Sequence, residues 1–204
     1  MTVLAPLPAG DGMCSFQGGC RKAAEDEGLC ASHLLVDLDG RPLAPLVLQV
    51  STARAAEMRA RGVSWCSLCQ QELPLANFTI DGSGKREGMP RSRCRLCSGM
   101  VTRAKKFNRT LGDIARLFVF QEYRCAICKD EHRGDVGLHL DHDHACKQCP
   151  SEDEMCGKCI RGLLCWSCNS FLIGWYETKG NKLGKYEPAE EYLRNFPVRR
   201  MGLT

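Results

Sequence analysis

Fifteen cysteines in a chain of 204 residues, most of them in Cys-x2-Cys pairs, constrain the fold more than any other feature. The densest stretch, "LHLDHDHACKQCPSEDEMCGKCIRGLLCWSCN" at 138–169, holds six cysteines and three histidines in 32 positions. Aromatic residues make up only 7% of the chain, so a large conventional core is not expected. Units with little core need disulfide or metal staples. The opening "MTVLAPLPAGDG" has no basic region followed by an apolar stretch, and no run approaches the roughly 18 apolar residues of a membrane span. The expectation is a cytoplasmic protein with reduced thiols and no membrane contact. Metal then explains the cysteines better than disulfides do.

The spacings support that reading. Cys66 and Cys69 are followed by Cys94 and Cys97; Cys125 and Cys128 are followed by Cys165 and Cys168. Between the latter pairs lie Cys146, Cys149, Cys156 and Cys159. Two knuckles of this kind can close on one tetrahedral zinc. Cys14, Cys20, Cys30 and His33 remain, the last two within "CASH", and make a set of three cysteines and one histidine. About four structural zinc ions per chain are therefore expected, with no thiol left over. The alternative is that one or two pairs are redox thiols or disulfides.

Zinc changes the electrostatics. Lys and Arg outnumber Asp and Glu by 28 to 24, a formal charge of +4. Each four-thiolate zinc adds −2 and the three-thiolate one −1, so loading all four sites brings the formal total to −3. Net charge therefore does not point to nucleic acid, but local charge does. Lys85, Arg86, Arg91, Arg93, Arg95, Arg103, Lys105, Lys106 and Arg109 form a stripe broken only by Glu87. Such a stripe can track DNA phosphates. The plainer alternative is a solvated face that balances zinc-bound thiolates.

The pattern predicts a small, zinc-rich α+β chain. Residues 1–35 form an N-terminal zinc module and 36–64 a connector. Residues 65–109 form a four-cysteine module with the basic stripe, and 110–204 a last domain with an inserted four-cysteine knuckle. "STARAAEMRARG" predicts a helix that Ser51 caps and Gly62 ends. A second helix is predicted over about 98–108. Thr110 and Asp113 resemble a capping box, and Leu111, Ile114, Leu117 and Phe118 recur at helical spacing, facing a core. Pro188 suits the first turn of a last helix whose apolar side is Tyr192, Leu193 and Phe196. Trp166 and Trp175 are read as core.

"LHLDHDH" alternates as a strand would, with Leu138, Leu140 and His142 on one face and His139, Asp141 and Asp143 on the other. Asp141 offers a hard oxygen to Mg2+, and the neighbouring His142 can take a proton from water. Asn169, directly after Cys168 where a helix should begin, offers a second metal oxygen. A zinc on Cys125, Cys128, Cys165 and Cys168 would bring Asn169 near Asp141, 28 positions away. His144 is a candidate auxiliary group; His132 and His139 are read as structural or solvated.

"CAIC" at 125–128, "LDHDH" at 140–144, "RGLLC" at 161–165 and "CN" at 168–169 resemble the phage recombination endonuclease VII family, over about residues 110–195. The resemblance implies an HNH-type nuclease with a ββα-metal, treble-clef-like core. It implies zinc on the Cys125–Cys168 set, Mg2+ on Asp141 and Asn169, and His142 as general base. The expected activity is metal-dependent hydrolysis of DNA phosphodiesters, with two alternatives: resolution of branched DNA such as Holliday junctions, or nicking of duplex DNA. A zinc-finger nucleic-acid-binding or assembly protein with a degenerate nuclease core is the runner-up. Two departures bear on this. The founding resolvase carries an acidic residue three places after the asparagine, where Leu172 stands here. Its long helical C-terminal part builds a dimer, whereas 35 residues follow Asn169 here. A homodimer formed in another way, or a monomeric nickase, is therefore expected.

Overall fold

The computed structural model describes residues 12–18, 20–25, 27–131, 137–150, 155–179 and 186–203. His132 lies outside them. The chain divides into two compact units, 1–98 with 110–112, and 99–109 with 113–204.

The first unit is short elements around two cysteine sets. Its first helix, α1 (Ala31–Leu38), follows Cys30 and buries His33, Leu34, Leu35 and Val36. α2 (Thr52–Ala60) starts where expected, because the Ser51 hydroxyl accepts a 3.2 Å hydrogen bond from the Arg54 amide. Strands β1 (Val63–Cys66) and β2 (Gln71–Pro74) form one antiparallel hairpin, and β3 (Phe78–Ile80) pairs with β4 (Pro90–Cys94) in another. Cys66 and Cys94 thus end strands, while Cys97 lies in the first turn of α3 (Arg95–Lys106). That helix begins about one turn earlier than expected.

The second unit is built on an antiparallel hairpin, β5 (Leu138–His142) with β6 (Ile160–Cys165). α4 (Leu111–Phe120) buries Leu111, Ile114, Leu117 and Phe118, the stripe that the helical spacing predicted. Fully burying each such side chain contributes about 1.5–3 kcal/mol. At the end of α4, Gln121 completes the edge of β6. Its side chain accepts from the Leu163 amide at 2.8 Å and donates to the Leu163 carbonyl at 2.9 Å. After β6 the chain enters a π-helical segment, Ser167–Ile173, then α5 (Gly174–Lys179). α6 (Glu187–Arg194), with Pro188 in its first turn, and α7 (Pro197–Arg200) follow. Gly162 allows α7 to approach β6 closely: a Cβ there would lie 3.0 Å from two ring carbons of Pro197, tighter than ordinary contact.

Two expectations are corrected. The strict alternation of "LHLDHDH" fails at Asp141, which is buried at 2% exposure while His139 is exposed. The Arg161 guanidinium on β6 and the Tyr192 hydroxyl on α6 cover the Asp141 carboxylate. Trp166 and Trp175 are not core, being 55% and 45% exposed. Cys168 and Ile173 take the inward side of the π-helical segment, which leaves Trp166 stacked edge-on against the exposed Phe171, with ring centroids 4.7 Å apart.

Candidate functional site

The site lies at the end of β5. Its apolar residues, Leu138 and Leu140, are buried, and the strand carries Asp141 into the same interior. Such a carboxylate needs partners. The Tyr192 hydroxyl, on α6, donates to Asp141 Oδ2 at 2.7 Å. The Arg161 guanidinium, on β6, forms an ion pair with the same oxygen at 3.0 Å and approaches Oδ1 at 3.5 Å. Oδ1 is thus the less engaged oxygen. Burial raises the Asp141 pKa to about 6, against the lowering effect of Arg161 and Tyr192.

His142 is half-buried. Phe107 meets its ring edge-on at 5.5 Å between centroids, and His144 lies 4.2 Å away. Burial, followed by the charges of His144, Arg161 and Lys106, lowers its pKa to about 4. The imidazole is therefore neutral at pH 7 and able to accept a proton. His144 and Asp143 are exposed, and the Asp143 carboxylate accepts from the Ala145 amide at 2.9 Å.

Asn169 is half-buried in the π-helical segment, next to Cys168. The sulfurs of Cys125, Cys128, Cys165 and Cys168 lie within 4.8 Å of one another and could hold a metal ion. This cluster ties the knuckle after α4 to the end of β6 and the start of the helix that carries Asn169. Leu172, where the resemblance calls for an acid, is half-buried in the same segment. Sequence reasoning missed Arg161, Glu177 and Tyr192. The first was visible only as part of "RGLLC", and the last only as part of an apolar helix face.

These side chains and the cysteine cluster share one stretch of sequence. Residues 100–195 match the recombination endonuclease VII family. Among curated relatives, the Gene 59 protein of Mycobacterium phage L5 is 32% identical over 83 residues, 41% of this chain and 42% of the relative. The Gene 59 protein of Mycobacterium phage D29 is 31% identical over 82 residues, 40% of this chain and 41% of the relative. The aligned stretch therefore spans less than half of either relative. No solved structure matches the chain significantly.

Three further clusters could hold metal ions: Cys14, Cys20, Cys30 and His33; Cys66, Cys69, Cys94 and Cys97; and Cys146, Cys149, Cys156 and Cys159. In the first, His33 Nδ1 lies 3.1 Å from the Cys14 sulfur, while Nε2 lies 3.0 Å from the Ala44 carbonyl, which orients the ring. With the endonuclease VII-like cluster, the sets account for all 15 cysteines, every one of them free of disulfides. The last set is the knuckle inserted in the endonuclease VII-like segment. It hands the chain directly to β6, and the Asp143 amide donates to the Cys159 carbonyl at 2.9 Å. Among the described residues, no helix is long and apolar enough to cross a membrane.

The basic stripe is divided between the units. Lys85, Arg86, Arg91, Arg93 and Arg95 belong to the first, and Arg103, Lys105, Lys106 and Arg109 to the second. Arg86 and Arg91 are exposed but ion-paired with Asp81, at 3.1 and 2.9 Å. Arg95 donates to the Ala76 carbonyl. Arg103 donates to the Leu138 carbonyl and lies 5.9 Å from the Phe118 ring centre. Arg109 donates to the carbonyls of Gly157 and Leu203 at 2.5 and 2.8 Å. Lys85, Arg93, Lys105 and Lys106 are exposed.

Proposed function

We propose that this protein is a metal-dependent DNA endonuclease that hydrolyses phosphodiester bonds at Asp141 and His142. The observation that carries the reading is the pairing of a buried carboxylate with a neutral, half-buried imidazole at the end of β5, inside the segment that matches the endonuclease VII family. His142 takes a proton from water, and the resulting hydroxide attacks phosphorus. Asp141 Oδ1 and the Asn169 amide oxygen are the hard donors that fit Mg2+. A divalent cation held there would stabilise charge on the phosphoryl and leaving oxygens. Asp141 offers the oxygen that Tyr192 does not occupy.

Lys85, Arg93, Lys105 and Lys106 are the cations best exposed to contact DNA phosphates, with Arg86, Arg91, Arg95, Arg103 and Arg109 holding the surrounding backbone and loops. Zinc ions on the four cysteine-rich sets would act as structural staples. A branched substrate asks for two active sites and hence for a homodimer; a nickable duplex asks for one. The test is cleavage of a labelled panel of four-way junction, fork, linear duplex and single strand, with Mg2+ and with EDTA. Cleavage of the junction or duplex that EDTA abolishes is the expected result. Binding without cleavage of any member would favour the runner-up, a zinc-finger assembly protein, to which Leu172 and the engaged Asp141 carboxylate lend support.

A further inference from the structure

Arg161 takes no part in the proposed chemistry, although it is only 7% exposed. A buried guanidinium costs desolvation and persists only with good partners. The strand register explains its direction. From Leu138 opposite Cys165 to Asp141 opposite Gly162 the pairing runs in step; His142 then pairs with Ile160, which leaves Arg161 as the extra residue. A bulge re-aims the residue it inserts, and here it turns Arg161 toward the β5 end.

The guanidinium joins groups on β5 and α5. Nε faces Asp141 Oδ2 at 3.0 Å. One terminal nitrogen lies 2.6 Å from the His142 carbonyl oxygen, 2.5 Å from Glu177 Oε1 and 3.5 Å from Asp141 Oδ1. Glu177 on α5 therefore anchors the far side of the fork, while Tyr192 on α6 holds Asp141 Oδ2 at 2.7 Å. Two points of the planar guanidinium divide these acceptors: one terminal nitrogen makes the hydrogen bonds, while Nε sits in ion-pair contact with Asp141 without a hydrogen bond; an ammonium offers a single point of charge.

We propose that Arg161 is a positioning residue. Anchored by Glu177, it fixes the Asp141 carboxylate and the His142 backbone, and with Tyr192 it leaves Asp141 Oδ1 turned toward a divalent cation. The proposal rests on the nuclease reading of the same site. It makes Arg161 act through Asp141 and His142, without touching DNA.

The test uses the full zinc-loaded chain, with Mn2+ as the probe. Mn2+ binding is followed by electron paramagnetic resonance, and the component lost in Asp141→Ala defines the site. Zinc content and thermal midpoint are measured on every variant, and kcat and KM on the cleaved DNA. Arg161→Gln should weaken Mn2+ binding about 10–100-fold and lower kcat with KM for DNA unchanged, as loss of a ligand-orienting partner does. Arg161→Lys should restore little, because charge without the fork does not fix the carboxylate. Tyr192→Phe and Glu177→Gln should shift Mn2+ binding in the same direction by less. They carry the test if Arg161→Gln loses zinc or does not fold. Parental Mn2+ affinity in folded, zinc-loaded variants would overturn the proposal, as would full rescue by lysine. Absence of an Asp141-dependent Mn2+ site in the parent would overturn it too. A parent that cuts no DNA but binds Mn2+ through Arg161 would remove the nuclease reading and keep the positioning role. A parent that cuts, with variants that match it, would do the reverse.

Discussion

His142 and Asp141 are adjacent, yet their surroundings move them in opposite senses. Burial, followed by the Coulombic effects of His144, Arg161 and Lys106, lowers the histidine to about 4, while burial raises the aspartate to about 6. In the proposed mechanism both act deprotonated, so both would gain function as pH rises, and the group with the higher pKa would set the acid limb. Cleavage at limiting metal should fall as pH drops through about 6 and level off above it. A pH–rate profile that is flat through that value would contradict this assignment. His142→Ala should lower the cleavage rate by about 10²–10⁴-fold with zinc content and DNA binding retained, measured in single turnover. A third residue, Gly157, tests the inserted knuckle. Its φ is +81° and an added Cβ would lie 2.7 Å from the Asn108 carbonyl oxygen. Gly157→Ala should cost about 1–3 kcal/mol in thermal or denaturant unfolding.

Among elements, those with a repeating local signal were legible in the sequence. α2 had its serine cap, α4 its four apolar residues at helical spacing, and α6 its early proline. The β5–β6 hairpin was legible only as far as its strand pattern. The bulge depends on which residue of β6 meets His142, and no local pattern in either strand encodes that. Trp166 and Trp175, expected in the core, are exposed, because Cys168 and Ile173 take the inward side of the π-helical segment between them. Elements this short need their staples. Cys165→Ser should expose the β5–β6 amides to hydrogen exchange, because a zinc held by this cluster would also supply folding energy. Cys30→Ser, in the other unit, should leave those amides protected.

For the whole chain, elemental analysis should find about four zinc ions per chain. Two or fewer, with disulfides present, would defeat the metal reading. The stripe between Lys85 and Arg109 does not act as one block of free charge, since Arg103 and Arg109 hold the carbonyls of Leu138, Gly157 and Leu203. Lys105→Glu with Lys106→Glu is therefore the cleaner reversal. It should weaken DNA binding on every substrate and flatten the log–log salt slope by on the order of one unit per lost contact, with zinc content unchanged.

Cysteine spacing announced three of the four clusters, because Cys-x2-Cys knuckles are local in sequence, and the fourth followed from the residues left over, Cys14, Cys20, Cys30 and His33. Asp141 and His142 were legible for the same reason, as adjacent residues of distinct chemistry. The partners of Asp141 were decided by tertiary structure alone. Arg161, Glu177 and Tyr192 come from one strand and two helices, 20, 36 and 51 positions further along the chain. They converge because a bulge turns one side chain inward and because burial of a carboxylate leaves no room for an unpaired charge.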